Sequence, residues 1–276
     1  MKYGMIIAPN PKARNVAGKI RGIMGDAVTH IDPDQSYSGF FDVILAIGGD
    51  GACIKSLHFA HGMFQQNPHG PPPTVFGVNC GHICALGNPI KNLDLLPERI
   101  AKSQKILVHP IQVRTSPSRQ EFFFNEVIIK SFSNLIKLKI QVDGQTRVIR
   151  GGLIVATKAG SGGINACNAI HNQEIMDIPS LDHWRVSTYM AMPNDKRCDK
   201  PFQKIVDNSR AIDIQVLNPY GDRNAYVIGD SSYNHGERYI TENGRVIGVE
   251  STVLFADRIN ISRATHGVYL AKETCL

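Results

Sequence analysis

Gly48-Gly49-Asp50-Gly51 follows directly on the apolar run DVILAI, Asp42–Ile47. Glycines at such a point let the backbone approach a phosphate closely and aim N–H groups at it. A helix read over Ala52–Phe64 adds the partial positive charge of its N-terminus. A carboxylate is out of place in a pure phosphate cradle, because it repels the anion. Asp50 makes sense there if it meets a metal ion or takes a proton from a hydroxyl. The competing reading is a tight turn with Asp50 as helix N-cap. The turn is not a P-loop, since GxxxxGK[ST] occurs nowhere in the chain. A second glycine-rich loop, Gly160-Ser161-Gly162-Gly163, follows the apolar run Leu153–Ala156. It is either another backbone nest for an anion or a flexible connector.

The elements that must position these turns are legible in outline. Tyr3–Ala8 is a short apolar strand ending at Asn10-Pro11, a loop signal, and Lys12–Met24 reads as a helix. Asp42–Ile47 is β-branched and apolar without alternation, as in a parallel strand buried on both faces. Asn67–Pro73 is a stiff loop, Thr74–Val78 a further strand, and Asn79-Cys80-Gly81 the loop it runs into. Strand, loop and helix repeated in this way predict an open α/β sheet, in which ligands bind at the carboxyl ends of the strands. The character changes near Ser103–Pro110. Beyond it, period-two segments at Ile111–Arg114, Phe122–Ile129, Leu135–Val142 and Thr146–Arg150 predict strands, with Asp143-Gly144 as a hairpin turn. Further strands are read at Ala211–Val216, Ala225–Ile228, Arg245–Glu250 and Arg258–Ser262. The second half is therefore β-rich, with few helices.

The chain has 276 residues, 42% hydrophobic and 20% charged, with 30 basic against 24 acidic side chains and a net charge of +6. Its length predicts two domains, and its composition excludes a disordered tail, a coiled coil and a collagen-like chain. No apolar run reaches the ~18–20 residues of a membrane span. The opening MKYGMIIAPN reads as a first strand rather than a signal peptide, so a cytoplasmic protein is expected. The six cysteines form no CxxC pair and read as reduced and mostly buried. Scattered basic residues, without aromatic interleaving, argue against nucleic acid, and the surplus of charge reads either as a site for small polyanions such as nucleotides or as an ordinary solvated surface. The ten histidines form no HExxH pair, and His58 and His61 read as ordinary helix residues.

AIGGDG (Ala46–Gly51), GVNCGHICALG (Gly77–Gly87), FNEVII (Phe124–Ile129) and GGLIVATKAGSGG (Gly151–Gly163) occur in the order and rough spacing of the NAD kinases, which the chain resembles over nearly its whole length. That family carries a GGDG turn, a G-I-N-x-G-x-L-G-F segment, an Asn-Glu pair and a D-G-L-I-V-S-T-P-T-G-S-T-A-Y loop. The resemblance extends through Ile140–Gly144, Leu181-Asp182, Met192-Pro193 and Arg197–Phe202. It implies an α/β, Rossmann-like phosphate-donor domain over residues 1–105, rejoined by a last segment of about 252–276. An all-β sandwich that binds NAD is implied over 106–251.

The reaction so implied transfers a phosphoryl group from ATP, or from polyphosphate, to the adenosine 2′-hydroxyl of NAD. Mg²⁺ or another divalent metal and a homodimer or homotetramer are implied with it. By resemblance, Asp50 is the general base or the metal-adjacent acid. Gly48, Gly49, Gly51, Asn79 and Gly81 line the phosphates. Asn125 and Glu126 hold the dinucleotide's sugar and base, Thr157, Gly160 and Ser161 belong to the loop that receives the adenine and the nicotinamide side, and Asp50, Gly51, Gly162, Gly163 and Ile164 complete the implied NAD-binding set. The chain departs from the family pattern in several places. Gly151-Gly152 replaces Asp-Gly, and Ser161-Gly162-Gly163-Ile164 replaces Ser-Thr-Ala-Tyr. Cys84-Ala85 replaces Gly-Phe, Asn194 the His of a Pro-His pair, and Ala52 a Thr. These changes cluster in the dinucleotide pocket rather than at the glycine turn. Two other readings stand beside the kinase. One is a lipid kinase of the diacylglycerol or sphingosine type, which shares the GGDG turn. The other is an inactive nucleotide-binding sensor, suggested by the missing carboxylate and tyrosine.

Overall fold

The computed structural model describes residues 1–33, 39–81, 86–115, 119–130, 136–158, 178–189, 196–217, 225–230, 238–242, 245–250 and 258–273. They form two units, Met1–His109 with Thr265–Leu276, and Pro110–Ala264.

The first unit is built on strands β1 (Tyr3–Ile7), β2 (Val28–His30), β3 (Val43–Gly48), β4 (Thr74–Asn79) and β5 (Gln104–Val108), with helices α1 (Pro11–Met24), α2 (Asp50–Gln66) and α3 (Leu96–Lys102). The chain's last strand, β19 (Val268–Lys272), completes a six-stranded sheet of order β2-β1-β3-β4-β19-β5. Asn10 caps α1 by accepting the Ala13 N–H at 2.8 Å, and Pro11 opens its first turn, where a missing N–H costs nothing. The helix buries Ala13, Val16, Ala17 and Ile20, the i, i+3, i+4, i+7 face of a 3.6-residue period. That face joins Leu45, Ile47, Phe76 and Val78 in one apolar cluster. All six positions of β3 are buried, so its unbroken apolar run is what a two-sided burial demands.

The parallel reading holds for β2, β1, β3, β4 and β19. At the edge, β5 runs antiparallel to β19. The returning segment is anchored by Arg99, whose Nε and Nη2 donate to the two Glu273 oxygens at 2.5 and 2.9 Å. Burying such a fork satisfies several donors with one carboxylate, and the Arg99 hydrogen bonds hold the Glu273 carboxyl below its ordinary range.

The second unit contains β6 (Ile111–Thr115), β7 (Arg119–Phe123), β8 (Glu126–Lys130), β9 (Lys137–Val142), β10 (Gln145–Arg150), β11 (Gly152–Ala156), β12 (His183–Tyr189), β13 (Gln203–Asp207), β14 (Ile212–Val216), β15 (Tyr226–Gly229), β16 (Arg238–Glu242), β17 (Arg245–Glu250) and β18 (Arg258–Arg263). A six-stranded sheet, β10-β9-β14-β18-β6-β7, faces a five-stranded one, β13-β12-β11-β8-β15. Their inner faces share one core that includes Ile140, Ile214 and Ile261 from the first, and Val127, Val155 and Trp184 from the second. β16 and β17 pair separately. β18 pairs with β6 and β14, so the chain re-enters the first unit only at Thr265. Asp143 and Gly144 both have positive φ, 51° and 72°, and join β9 to β10 across the Val142–Gln145 pair, the geometry of a two-residue hairpin turn.

The single strand read over Phe122–Ile129 is corrected by the structure. β7 ends at Phe123 in the six-stranded sheet, and β8 begins at Glu126 in the other. Every residue from Phe123 to Ile129 is buried. Alternation therefore fails where the chain crosses between sheets, as strand corners in sandwiches require.

Candidate functional site

In the first unit, the glycine turn closes the carboxyl end of β3. Gly49, in extended conformation, is the N-cap of α2, and Asp50 is its first residue. Asp50 is thus not the cap. It is a half-buried acid in the first turn, where a negative charge is favoured by the helix dipole. Its Oδ1 accepts the Leu86 N–H at 2.8 Å, tying the end of the Gly77–Gly87 segment to the turn. A Cβ on Gly48 would lie 2.7 Å from the Ala52 Cβ and 2.8 Å from the Ala8 Cβ, so this position admits only glycine while the helix starts so close to the sheet.

Gly48 pairs with Asn79 at the end of β4, and its carbonyl accepts the Cys80 N–H at 2.7 Å. The Asn79 side chain accepts the Gly81 N–H at 2.8 Å. Gly48, Gly49, Asp50, Gly51, Asn79 and Gly81 are therefore brought together at the ends of two adjacent parallel strands. Behind them, Asn88 donates to the Gly77 and Ala271 carbonyls at 3.1 Å each, locking the segment to β19.

In the second unit, Asn125 and Glu126 occupy the corner between the sheets. Three backbone N–H groups there, of Phe124, Asn125 and Glu126, donate to the carboxylate of Asp230 at 2.6, 2.6 and 3.1 Å. The carbonyls are matched as well. Asn125 O accepts the Thr157 N–H at 2.9 Å, and Glu126 O accepts the Asp230 N–H at 3.1 Å. The Thr157 hydroxyl lies 2.8 Å from Phe124 O and 3.1 Å from Asn125 O. Buried backbone groups must be satisfied, and two residues, Thr157 and Asp230, satisfy all of those at the corner.

A Cβ on Gly229 would come within 2.3 Å of Glu126 O, so glycine is what lets β15 approach closely enough to deliver Asp230. Asp230 itself has φ 49°, a left-handed conformation that Asp adopts more readily than most residues.

Glu126 is fully buried, and so is Arg185 on β12. Glu126 stands opposite Ala156, and Ala156 opposite Arg185, so the two charges share one sheet face with a single methyl group between their strands. Burying charges of this kind is costly unless they are paired and hydrogen-bonded, which marks this part of the sheet face as polar by design rather than as core.

Sequence reasoning passed over both Asp230 and Arg185. A signal existed for the first, since Gly229-Asp230 ends an apolar strand much as Gly48–Asp50 does; Arg185 alternates regularly with the inward-facing Trp184 and Val186 and so reads as an ordinary outward position. Gly160, Ser161, Gly162, Gly163 and Ile164 lie outside the described residues, as do Cys84-Ala85, Met192-Pro193 and Asn194. Among the described residues no group of three or more His, Cys, Asp or Glu could hold a metal ion. No helix there is long and apolar enough to cross a membrane.

No family model matches the chain. Sequence relatives are nevertheless clear. An NAD kinase of Xanthomonas oryzae pv. oryzae is 31% identical over 188 residues, covering 65% of this chain and 67% of that protein. One of Rhizobium meliloti is 32% identical over 168 residues, 58% of each chain. One of Hyphomonas neptunium is 28% identical over 173 residues, 60% of this chain and 61% of that one. The chain thus spans about three fifths of the length of the last two relatives. Among solved structures, an NAD kinase from Archaeoglobus fulgidus in complex with ATP superposes with a TM-score of 0.67 at 20% identity, over 99% of this chain and 94% of that one. Yeast NADH kinase complexed with NADH gives 0.69 at 14% identity, over 99% and 84%. These two likenesses establish a common fold.

Proposed function

The chain belongs to the NAD kinase family, and from that premise we propose that it transfers a phosphoryl group from ATP or polyphosphate to the adenosine 2′-hydroxyl of NAD, making NADP. The observation that carries the reading is Asp50 at the strand-to-helix turn, flanked by Gly48, Gly49 and Gly51 and beside Asn79 and Gly81. In this reading the glycine turn and the α2 N-terminus receive the donor's phosphates. Asp50 takes the proton from the attacking hydroxyl, a contribution worth on the order of 10²–10⁴-fold.

The first unit is then the phosphate-donor domain and the second the NAD-binding domain. Asn125 and Glu126 hold the adenosine, and Thr157 with the loop Gly160, Ser161, Gly162, Gly163 and Ile164 completes the dinucleotide pocket. The single carboxylate at the turn is compatible with a divalent ion, since Mg²⁺ is usually bound by one or two carboxylates plus substrate phosphates rather than by an all-protein cage. Asp50 is the carboxylate the turn offers it. Such an ion supplies charge neutralisation on the transferring phosphoryl group. A homodimer or homotetramer in the cytoplasm belongs to the same proposal.

The test is one assay. Purified protein is incubated with Mg²⁺, NAD and either ATP or polyphosphate, and NADP is read out with an NADP-specific dehydrogenase. NADP that depends on a donor and disappears in Asp50→Asn supports the reading. No NADP with either donor, in protein that still binds NAD, would overturn it in favour of a nucleotide sensor.

A further inference from the structure

The outer face of the six-stranded sheet of the second unit carries an open depression of about 470 Å³, lined among others by Arg114, Lys139 and Arg258. All three are exposed and alternate along β6, β9 and β18 with buried core positions. Their spacing is set by register. Lys139 stands opposite Gln215, which stands opposite Arg258. Arg114 stands opposite Asn260, two residues along β18. With strands ~4.8 Å apart and a rise of ~3.3 Å per residue, their Cα atoms lie roughly 8–16 Å apart, and long side chains can converge over that span.

Several cations of the chain are neutralised by a neighbouring carboxylate. Arg99 meets Glu273, Lys204 and Arg210 meet Asp143, and Arg263 meets Asp182. The charged groups of Arg114, Lys139 and Arg258 form no ion pair among the described residues. The depression holds one carboxylate, Asp213, whose Oδ1 accepts the Asn260 amide at 2.7 Å. Three cations against one acid leave a surplus of two positive charges. The sheet is backed by the shared core, so the strands that carry the array are fixed, and binding has to order only its long side chains.

We propose that this depression is a second anion site, separate from the glycine turn of the first unit, that takes a small soluble ligand bearing two or more phosphoryl groups. The exposure of the cations decides the class. A single solvated ion pair is weak, so a monovalent carboxylate would not be retained. An extended polyvalent anion engages all three cations at once, with arginine forks suited to phosphoryl oxygens. The side-chain amides of Gln141 and Gln215 add neutral donors to the same rim.

The probe is inorganic tripolyphosphate, and the readout is residue-resolved acetylation of lysines in the intact protein, followed by mass spectrometry. Tripolyphosphate should slow acetylation of Lys139 but not of Lys102, which is exposed and pairs with Glu98 at 3.6 Å. In Arg114→Gln/Arg258→Gln, the concentration giving half-protection should rise roughly tenfold or more, the effect of about 1.4 kcal/mol. Both exchanges are at the surface, and an unchanged urea midpoint verifies the fold. The proposal is overturned by any of three results. Lys139 and Lys102 can respond alike, protection can survive the double exchange, or Lys139 can be shielded without ligand in proportion to protein concentration, which would make the face a contact between copies.

Discussion

Replacing Asp230 by Asn tests whether the corner that presents Asn125 and Glu126 is held from a distance. The carboxylate accepts three backbone N–H groups, with Oδ1 serving Asn125 and Glu126 and Oδ2 serving Phe124. An amide retains one acceptor oxygen. If that oxygen takes the Oδ1 place, the amide nitrogen opposes the Phe124 N–H, donor against donor. One buried donor is then stranded, at about 1–3 kcal/mol, and the remaining bonds lose their charge assistance, so the total is about 2–4 kcal/mol. Alanine would strand three donors and consume much of a ~5–15 kcal/mol stability, which makes Asn the better probe. Urea unfolding should show a midpoint lowered by roughly 1–2 M at an unchanged slope. In protein that remains folded, KM for NAD should rise more than kcat falls, because the corner holds the ligand rather than the reacting group. Asp182→Asn, at a mostly exposed position 3.4 Å from Arg263, is the control and should cost under ~1 kcal/mol. A midpoint equal to wild type, together with an NAD KM within twofold, would refute the reasoning.

Three further outcomes are expected. Asp50→Asn should cut kcat by about 10²–10⁴-fold while preserving the fold, since an Asn oxygen can still accept the Leu86 N–H; turnover within a few-fold of wild type removes Asp50 from the chemistry. Glu126→Gln should weaken NAD binding about tenfold or more, each charged hydrogen bond being worth ~1.5–3 kcal/mol, and leave a non-hydrolysable ATP analogue unaffected; calorimetry giving equal losses for both ligands contradicts the assignment. Burial, helped by His58, His266 and His109 nearby, lowers His61 from 6.5 to about 4. The unfolded chain therefore takes up this proton first as pH falls. Stability should be flat above about pH 7 and decline between 6.5 and 4 by up to ~3 kcal/mol. The same decline in His61→Gln, followed by urea midpoints, would show that other groups are responsible.

Much of the first unit is local in origin and so readable from the chain. Asn10-Pro11 caps and opens α1 within four residues, and the α1 core face repeats at helical spacing. β3 is apolar without alternation because both its faces are covered. The Asp143-Gly144 hairpin needs only two residues of positive φ. The glycine turn was legible for the same reason, since the strand, the glycines and the helix start are contiguous.

What the chain could not announce depends on partners far away along it. The crossing at Phe123–Glu126 looks like an uninterrupted strand, because period-two patterning reports the faces of one sheet and is blind to a strand that leaves it. The bonds that hold the crossing span 104–106 residues. The Leu86 N–H that meets Asp50 is 36 residues away. Whether Arg185 is exposed or buried was likewise decided by the strands placed beside it, and so was the gathering of Arg114, Lys139 and Arg258 on one face. Caps, turns and periodicities are set by interactions among neighbours and survive in the sequence as patterns. Which buried carboxylate meets which backbone N–H is set by strand order and register, which exist only once the sheets have closed around their core.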